Sequence, residues 1–409
     1  MPTIQRADLP QKPRVLHLGK FYPPRKGGME SHLQVLCTEL ARYYDVKVVV
    51  ADKCGTPNRL EGGVSVVRLR SVLTLAAAPF CPNIVGEIRR SKASLVHIHW
   101  PNPGAILAYL AGGLGARLII TYHSDVIRQQ FLSVLFRPFL EMAFDRASAI
   151  IVSSPNYIRS STVLRRYSDR CHVIPFGIPL ERFGQSDAAA VRSVRQRYGN
   201  RLVLSVGRMV YYKGFEYLIE AMQAVDGHLL LVGDGPLRPE LEQQAAVLGL
   251  DNRVSFLREI PDQDLPAYYH AAEVFALPSI VRSEAFGIVQ IEAMAAGIPV
   301  VNTCLDSGVP FVSLDGVTGL TVPPADSAAL ATAINRLLDD EPLRKTLGER
   351  GRQRAAEMFS VEAMVSRTIG LYEQVMAHPP GSVVSAGAAA TTPAHISHSA
   401  PATDQGFGE

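Results

Sequence analysis

Short apolar runs rich in β-branched residues alternate along the first part of the chain with longer segments of helical periodicity. The predicted buried strands are RVLHLG, VKVVVA, LVHIH, RLIITY and AIIVSS. Helical stretches such as MESHLQVLCTELARYY and LFRPFLEMAFDRAS separate some of them. Strands that alternate with helices form βαβ units, so the pattern predicts a parallel sheet covered by helices.

The alternation pauses at the prolines and glycines of VIPFGIPLERFG and then begins again. A second strand series follows, with RLVLSVG, HLLLVG, RVSFL, EVFALP and IPVVN. We therefore predict an α/β fold with two doubly wound, Rossmann-like domains, over residues 1–180 and 181–378. Residues 379–409 are small, polar and broken by prolines, which predicts a disordered tail.

Length and composition narrow the class of protein. A chain of 409 residues is long enough for two domains. A net charge of +3 lacks the concentrated basic excess of a nucleic-acid-binding protein, so no nucleic-acid partner is expected. The five cysteines form no CxxC pair, which argues against a zinc site or disulfide framework and favours a reducing cytosol. The N-terminus shows no apolar signal segment, and the most apolar stretch, PNPGAILAYLAGGLGA, is too short to span a membrane.

Candidate ligand-binding residues follow the predicted strands, because parallel sheets bind ligands at the carboxyl ends of their strands. In GKFYPPRKGGMESH, Gly27 and Gly28 lead into a helix whose backbone N–H groups can approach a phosphate. A plain turn is the alternative, and the GxGxxG fingerprint is absent. In TYHSD, His123 ends a strand and is expected to face the cleft, although a lone histidine is more often structural.

Two further loops carry candidate donor-binding residues. SVGRMVYYKG places Arg208 and Lys213 close together before a helix, where two cations suit a diphosphate. Two solvated surface charges are the alternative. VGDGP, with Gly233, Asp234 and Gly235, is a second tight turn after a strand, in which Gly233 is a candidate binding residue. A plain turn, in which Asp234 only satisfies local backbone donors, is the alternative.

RSEAFGIVQIEAMAAGIPV places two glutamates around the predicted start of a helix near Phe286 or Gly287. Glu284 then lies in the loop, and the free N–H groups of Phe286, Gly287 and Ile288 favour an anion. Glu284 and Glu292 are expected to bind hydroxyls on either side of that anion. The alternative makes Glu284 a first-turn helix charge and Glu292 a surface residue, but the apolar surroundings of Glu292 predict burial and hence a polar partner.

The segment DQD, Asp262 to Asp264, matches a DxD metal-binding pattern. It opens the predicted helix of IPDQDLPAYYHAAEVFALPS, where acidic residues suit the positive helix end. We therefore expect capping rather than metal binding, and no metal cofactor.

RQQFLSVLFRPFLEMAF, residues 128–144, mixes arginines with large apolar residues. This composition is compatible with peripheral contact to a membrane surface. A core helix of the first domain is the alternative.

Taken together, these motifs resemble retaining glycosyltransferases of family 4, which have the GT-B fold. The Glu-x7-Glu element EAFGIVQIE is specific when it occurs with VGRMVYYKG, VGDGP and GGME. The resemblance covers nearly the whole chain and points to bacterial mannosyl- and rhamnosyltransferases of surface polysaccharide synthesis. The chain departs from many relatives at residues 307–310, written SGVP, which puts donor contacts there in doubt.

The resemblance implies a role for each candidate in the first domain. Gly27 and Gly28 would form the loop over the donor phosphates, supported by Glu30. His123 would contact the transferred sugar near the reacting carbon. The last helix, at about 361–376, would cross back to the first domain.

The resemblance also implies roles in the second domain. Arg208 and Lys213 would bind the diphosphate and stabilise the leaving nucleoside diphosphate in place of a metal. Glu284 would bind hydroxyls of the donor sugar, and Glu292 the nucleotide ribose. The backbone at 286–288 would hold the phosphates.

The expected activity is transfer of a hexose, with mannose from GDP-mannose as the leading guess, to a saccharide on a polyprenyl diphosphate. A UDP-sugar donor, a nucleotide-sugar epimerase and a non-catalytic nucleotide-sugar-binding protein are the alternatives. The expected location is the cytoplasm, at the inner face of the cell membrane.

Overall fold

The fold is described from a computed structural model of the chain. The structure describes residues 12–25, 27–52, 57–75, 78–123, 130–258 and 260–386.

Strands within these ranges form two large sheets and one small hairpin. The strands are β1 (Arg14–Leu18), β2 (Asp45–Asp52), β3 (Arg59–Glu61), β4 (Val64–Arg70), β5 (Leu73–Leu75), β6 (Ala78–Phe80), β7 (Leu95–Trp100), β8 (Arg117–Tyr122), β9 (Ala147–Val152), β10 (Cys171–Val173), β11 (Leu202–Val206), β12 (His228–Val232), β13 (Val254–Leu257), β14 (Val274–Leu277), β15 (Val300–Thr303) and β16 (Gly319–Val322). Every strand predicted from the sequence is present.

Helices connect most of the successive strands. They are α1 (Gly28–Leu40), α2 (Ile84–Ser91), α3 (Pro103–Gly112), α4 (Gln130–Arg146), α5 (Pro155–Ser160), α6 (Thr162–Arg166), α7 (Glu181–Gly184), α8 (Ala188–Tyr198), α9 (Phe215–Ala221), α10 (Arg238–Val247), α11 (Leu265–Ala271), α12 (Ile288–Ala295), α13 (Val309–Val312), α14 (Ser327–Asp339), α15 (Glu341–Phe359) and α16 (Val361–Ala377).

The first sheet has eight strands in the order β10-β9-β8-β7-β1-β2-β4-β3, and its pairs are parallel except β3 with β4. The second has six parallel strands in the order β13-β12-β11-β14-β15-β16. Both sheets are doubly wound. In the first, the chain runs from β1 outward to β2 and β4 and then returns to β7, on the other side of β1. In the second, it runs from β11 outward to β12 and β13 and then returns to β14, on the other side of β11. The predicted α/β fold with two Rossmann-like domains, the GT-B architecture, is confirmed.

Burial on both faces explains why the strands are continuous apolar runs. All six residues of β7, LVHIHW, are buried, because helices cover the sheet on each side. The helices carry an apolar stripe instead. In α14, Leu330, Ile334 and Leu337 are buried at helical spacing, and the Asp326 carboxylate accepts a hydrogen bond from the Ala329 amide at the helix start.

The last helix, α16, packs on the first sheet rather than the second. Its residues Met364, Leu371 and Tyr372 share a buried cluster with Leu33 and Leu36 of α1. The chain therefore returns to its first half after completing the second. The predicted domain boundary near residue 180 stays a prediction.

The predicted disordered tail is wrong for its first part. The Val384 amide donates to the Ser148 carbonyl oxygen at 2.8 Å, and the Ala386 amide donates to the Asp169 carbonyl oxygen at 2.9 Å. Val384 is buried, so one apolar residue and two backbone hydrogen bonds hold residues 379–386 on the first sheet. Residues 387–409, the rest of the predicted tail, lie outside the described residues.

Within the described ranges, no helix combines the length and the apolar character needed to cross a membrane.

Candidate functional site

The carboxyl ends of the two sheets meet through an aromatic contact series. His123, directly after β8, stacks on Phe176 with ring centroids 5.4 Å apart. Phe176 in turn meets the edge of Phe286, before α12, at 5.1 Å. A second contact lies nearby, where the Asn156 side-chain amide donates to the Ser307 carbonyl oxygen at 2.8 Å. The loops that follow β8 and β14 therefore face one cleft.

A buried ion pair lies on the second-domain side of this cleft. The Lys213 ammonium is 2.6 Å from Glu284 Oε2, and both side chains are only 10% exposed. The Ser279 hydroxyl donates to the same carboxylate oxygen at 3.1 Å. The structure thus brings together two residues that the sequence assigned separately, one to a phosphate and one to sugar hydroxyls.

Local backbone contacts explain why Lys213 and Glu284 meet. The Ile280 amide donates to the Tyr212 carbonyl oxygen at 2.9 Å, which joins the loop after β11 to the loop after β14. The lysine packs over Gly207, where a Cβ would be in ordinary contact with Lys213 Nζ at 3.4 Å. Gly214 has a φ of 64°, and a Cβ there would lie 2.3 Å from the Pro278 carbonyl oxygen.

Arg208 lies in the same loop and is exposed. Burial and the charge of Glu284 raise the pKa of the half-buried Tyr212, and the charge of Arg208 opposes that rise. The charge of Arg208 therefore acts on the inner side of the loop as well. The predicted pair of cations is therefore split into one buried member, Lys213, and one exposed member.

The helix start predicted near Gly287 is confirmed. Gly287 is the N-cap residue of α12 and has a φ of 70°, where glycine carries no steric penalty. Glu284 accordingly lies in the preceding loop. The dipole of α12 gives this end of the helix a positive potential.

The SGVP segment, residues 307–310, packs against the same helix start. The Gly308 amide donates to the Ala285 carbonyl oxygen at 2.8 Å. A Cβ at Gly308 would lie 2.7 Å from a ring carbon of Phe286. This close approach requires a glycine at position 308.

Glu292 has the polar partner that its apolar surroundings require. The buried Tyr269 hydroxyl donates to Glu292 Oε2 at 2.6 Å. Burial raises the pKa of Glu292, and the hydrogen bond from Tyr269 together with the charge of Arg182 opposes that rise. Tyr269 was missed by the sequence reasoning, although YYH in α11 supplied a hydroxyl in an otherwise apolar helix.

Close backbone packing requires glycine at position 233, independently of its predicted contact with the nucleotide-sugar donor. A Cβ at Gly233 would lie 2.1 Å from the Gly207 carbonyl oxygen, and one at Gly235 would lie 2.4 Å from the Met209 carbonyl oxygen. The loops after β11 and β12 therefore touch along their backbones. Asp234 Oδ1 accepts from the Gly235 amide at 2.8 Å, which is the local role given to it by the alternative interpretation of this turn.

On the first-domain side, Gly27 is the N-cap residue of α1 and Gly28 its first residue. The Glu30 side chain folds back over Gly27, since a Cβ there would lie 2.1 Å from Glu30 Oε2. Around Gly28 there is open space within 4 Å. Glu30 thus supports this loop, and Gly28 leaves a backbone surface uncovered.

Histidines surround His123, and the sequence reasoning missed them. His32 of α1 meets the edges of both His123 and Phe176, at 5.3 and 4.9 Å between ring centroids. His99 of β7 bonds His123 Nε2 through its Nδ1 at 3.1 Å. The alternating histidines of VHIH carried the signal, because residues two apart in a strand lie on one face.

These histidines form two groups of three whose nitrogens lie within 4.8 Å of one another: His17, His97 and His99, and His32, His99 and His123. Most of these nitrogens are already hydrogen-bonded in series. A metal ion bound there would have to break those bonds.

DQD does not make the expected capping hydrogen bond. Asp264 occupies the N-cap position of α11 without a side-chain bond to the helix. Asp262 is exposed, and its carboxylate lies 3.7 Å from the Arg182 guanidinium. DQD therefore lies at the start of α11, as predicted, but its side chains do not cap the helix by hydrogen bonding.

Comparison with known families divides the chain into two matched parts. Residues 26–182 match the family described as Glycosyltransferase Family 4. Residues 189–354 match the family described as Glycosyl transferases group 1.

Three known proteins show how far the similarity extends. O-antigen chain mannosyltransferase C of Escherichia coli is 32% identical over 89% of this chain and 99% of that protein. D-rhamnosyltransferase WbpZ of Pseudomonas aeruginosa is 34% identical over 85% of this chain and 92% of that protein. The solved structure of sucrose-phosphate synthase from Thermosynechococcus elongatus superposes with a TM-score of 0.73 at 26% identity, covering 90% of this chain and 100% of that one.

Proposed function

The chain belongs to glycosyltransferase family 4 and is a glycosyltransferase, and from that premise we propose that it transfers a hexose with retention of configuration. The leading donor is GDP-mannose, and the acceptor is a saccharide carried on a polyprenyl diphosphate. The names of the E. coli and P. aeruginosa relatives support a hexose of the mannose or rhamnose type and a surface polysaccharide.

The buried Lys213–Glu284 pair is the observation that carries this proposal. In a nucleotide sugar, the phosphate is attached to C1 and the hydroxyls are carried by the other carbons of the same sugar. Its binding site therefore needs a cation for the phosphate close to a hydrogen-bond acceptor for the hydroxyls. The 2.6 Å contact supplies that arrangement next to the start of α12. Lys213 then turns to the β-phosphate, and Glu284 to hydroxyls of the sugar.

The proposed chemistry is stabilisation of the leaving group. Negative charge builds on the β-phosphate as the sugar departs, and Lys213, Arg208 and the first amides of α12 oppose it with fixed positive potential. As the bond between the sugar C1 and the phosphate oxygen breaks, the acceptor oxygen bonds to C1 on the face that the leaving group vacates, and its proton passes to the departing phosphate. Attack on that face retains the anomeric configuration. His123 and the loop of Gly27 and Gly28 close the site from the first domain.

Contact with a membrane surface, at the cytoplasmic face, is part of the proposal. The face of α4 that carries Phe139 and Met142 is exposed, and the Arg146 guanidinium on the same face donates to the Met142 carbonyl oxygen at 3.1 Å. The opposite face holds Leu140 and Phe144 in the core of the first domain. Apolar residues beside a cation suit a lipid surface. Residues 128 and 129 of the predicted membrane segment lie outside the described residues.

A donor panel tests the function. We expect the purified enzyme to bind GDP more tightly than UDP and to transfer mannose from radiolabelled GDP-mannose to a polyprenyl-diphosphate-linked saccharide. GDP-glucose and UDP-glucose are the matched controls for sugar and base. Transfer from UDP-glucose alone would contradict the proposed donor, and conversion of the donor sugar without any acceptor would identify an epimerase.

We predict that the reaction needs no metal. Added EDTA is expected to leave the rate of transfer within about two-fold, because Lys213, Arg208 and α12 supply the positive potential that a divalent ion supplies elsewhere. The measurement is initial rate with and without EDTA. Strong inhibition that Mg²⁺ or Mn²⁺ reverses would contradict this, and Asp262→Asn would then show whether DQD holds the ion.

A further inference from the structure

Beneath the proposed site, three histidines and a tyrosine form a continuous hydrogen-bonded series from the last helix to His123. Tyr372 Oη lies 3.3 Å from His17 Nε2. His17 Nδ1 lies 3.1 Å from His99 Nε2, and His99 Nδ1 lies 3.1 Å from His123 Nε2. We call Tyr372, His17, His99 and His123 the histidine relay.

A side branch shares the tyrosine hydroxyl. His97 Nδ1 lies 2.5 Å from Tyr372 Oη, and His97 Nε2 lies 2.6 Å from Thr121 Oγ1. All of these side chains are buried.

Every member of the relay is neutral near pH 7. Burial lowers the pKa of His17 to about 3 and also lowers the pKa values of His97, His99 and His123 well below the usual range. Burial raises the pKa of Tyr372 well above its usual value. A neutral imidazole carries a single N–H, so each ring donates one hydrogen bond and accepts one.

Only two proton arrangements satisfy the whole series. In the inward arrangement, Tyr372 gives its O–H to His97 and each relay histidine donates towards the tyrosine, which leaves a lone pair on His123 Nδ1. In the outward arrangement, Tyr372 gives its O–H to His17 and each ring donates towards the cleft, which places the proton on His123 Nδ1. The tyrosine at one end therefore fixes the tautomer of the histidine at the other.

The bond lengths favour the inward arrangement. Hydrogen bonds donated by O–H are shorter than those donated by N–H. The 2.5 Å contact from Tyr372 to His97 fits the O–H, and the 3.3 Å contact from His17 fits an N–H. The inward arrangement makes His97 Nε2–H the donor to the Thr121 hydroxyl oxygen, and this 2.6 Å contact is short for an N–H donor. The assignment therefore rests on the two contacts of Tyr372, which both fit the inward arrangement.

We propose that the histidine relay holds His123 as the Nε2–H tautomer, so that its Nδ1 accepts a hydrogen bond from a hydroxyl of the bound donor. Tyr372, His17 and His99 are then positioning residues for His123. The identity of the hydroxyl rests on the proposed function, but the tautomer does not, because it is a property of the free enzyme.

Nitrogen-15 NMR of histidine-labelled enzyme tests the tautomer directly, with the His123 signals assigned from the spectrum of His123→Gln. In the unmodified, ligand-free enzyme, we expect His123 Nδ1 to show the shift of an unprotonated nitrogen. A protonated Nδ1 there would overturn the proposal.

Two variants that alter different ends of the network are expected to reverse the relay. Tyr372→Phe removes the acceptor of His17 Nε2–H, and a buried N–H without an acceptor is avoided more strongly than an unused lone pair. The proton of His17 then moves to Nδ1, and the relay adopts the outward arrangement, in which each ring donates towards the cleft. Thr121→Val leaves His97 Nε2 without an acceptor, so His97 donates from Nδ1 to Tyr372, and the tyrosine O–H turns to His17. Both variants should show a protonated His123 Nδ1.

Tyr44→Phe is the matched control. Tyr44 is buried and packs edge-on against Tyr372 at 5.6 Å, but its hydroxyl is outside the relay. It should leave the His123 signals unchanged. If both test variants fold and also leave them unchanged, the relay does not set the tautomer and the proposal fails.

The activity readout separates the relay from the proposed function. We expect Tyr372→Phe and Thr121→Val to lower kcat/KM for the donor roughly ten-fold, which corresponds to about 1.4 kcal/mol and to the loss of one hydrogen bond to a hydroxyl. A reversed tautomer without this loss would overturn the contact with the donor. Failure of the unmodified enzyme to transfer sugar would refute the proposed function and leave the NMR result standing.

Discussion

Lys213→Ala is expected to reduce turnover by roughly 10²-fold or more, as the loss of a preorganised contact to a leaving group does. The lysine is the buried cation of the site, held 2.6 Å from Glu284. Its removal also leaves that carboxylate facing the place where the phosphate must bind. We therefore expect nucleoside diphosphate affinity to fall by roughly ten-fold or more, measured by isothermal titration calorimetry beside steady-state kinetics.

Lys345→Ala is the matched control for this variant. Lys345 makes an ion pair with Glu341 at the same 2.6 Å distance, but both side chains are exposed on α15. Exposed pairs contribute little to stability, so turnover and diphosphate affinity should stay unchanged. Near-normal turnover in Lys213→Ala, with circular dichroism showing a folded protein, would refute the assignment of Lys213 to the leaving group.

Glu284→Ala is expected to cut turnover by a similar factor, roughly 10²-fold or more, but to act on diphosphate binding in the opposite direction. The carboxylate neutralises Lys213 in the free enzyme. Without it, the lysine is free to meet the phosphate, so affinity for the nucleoside diphosphate alone should rise or stay constant. Affinity for the complete nucleotide sugar should fall, because the acceptor for its hydroxyls is gone.

Measuring the affinity of Glu284→Ala for both the nucleoside diphosphate and the nucleotide sugar distinguishes a contact with the sugar from a contact with the phosphate. Ser279→Ala removes the hydroxyl that donates to Glu284 while keeping the ion pair, and it should have a much smaller effect on turnover. Parallel loss of affinity for the diphosphate and the nucleotide sugar in Glu284→Ala would show that Glu284 acts on the phosphate side, against the proposed division of roles.

The sequence predicted the fold well because the periodic signals were local. Strands such as RLIITY and LVHIH are buried on both faces and therefore read as apolar runs. Six strands were missed: β3, β4, β5, β6, β10 and β16. β4 and β16 carry partly exposed or polar residues, and the other four are only three residues long. The prediction of disorder was wrong for the first residues of the tail, because two backbone hydrogen bonds to distant segments hold them in place. The local composition of the tail gives no information about such bonds.

The candidate site was predicted in part for the same reason. The start of α12 at Gly287, the loop position of Glu284 and the local role of Asp234 follow from glycine and helix-end chemistry within a few residues. Tyr269, the partner of Glu292, lies 23 residues away in sequence, and the pattern around Glu292 required a partner without identifying it.

The sequence by itself determined the two parallel sheets, the loops that follow their strands and the residue types that those loops carry, since each depends on periodicity or on backbone chemistry between near neighbours. Only the tertiary structure decided which of these residues meet. The ion pair of Lys213 with Glu284 spans 71 positions, and the contact of Tyr372 with His17 spans 355. Such pairings depend on how strands and helices are ordered in space, and side-chain periodicity along a chain does not encode that order.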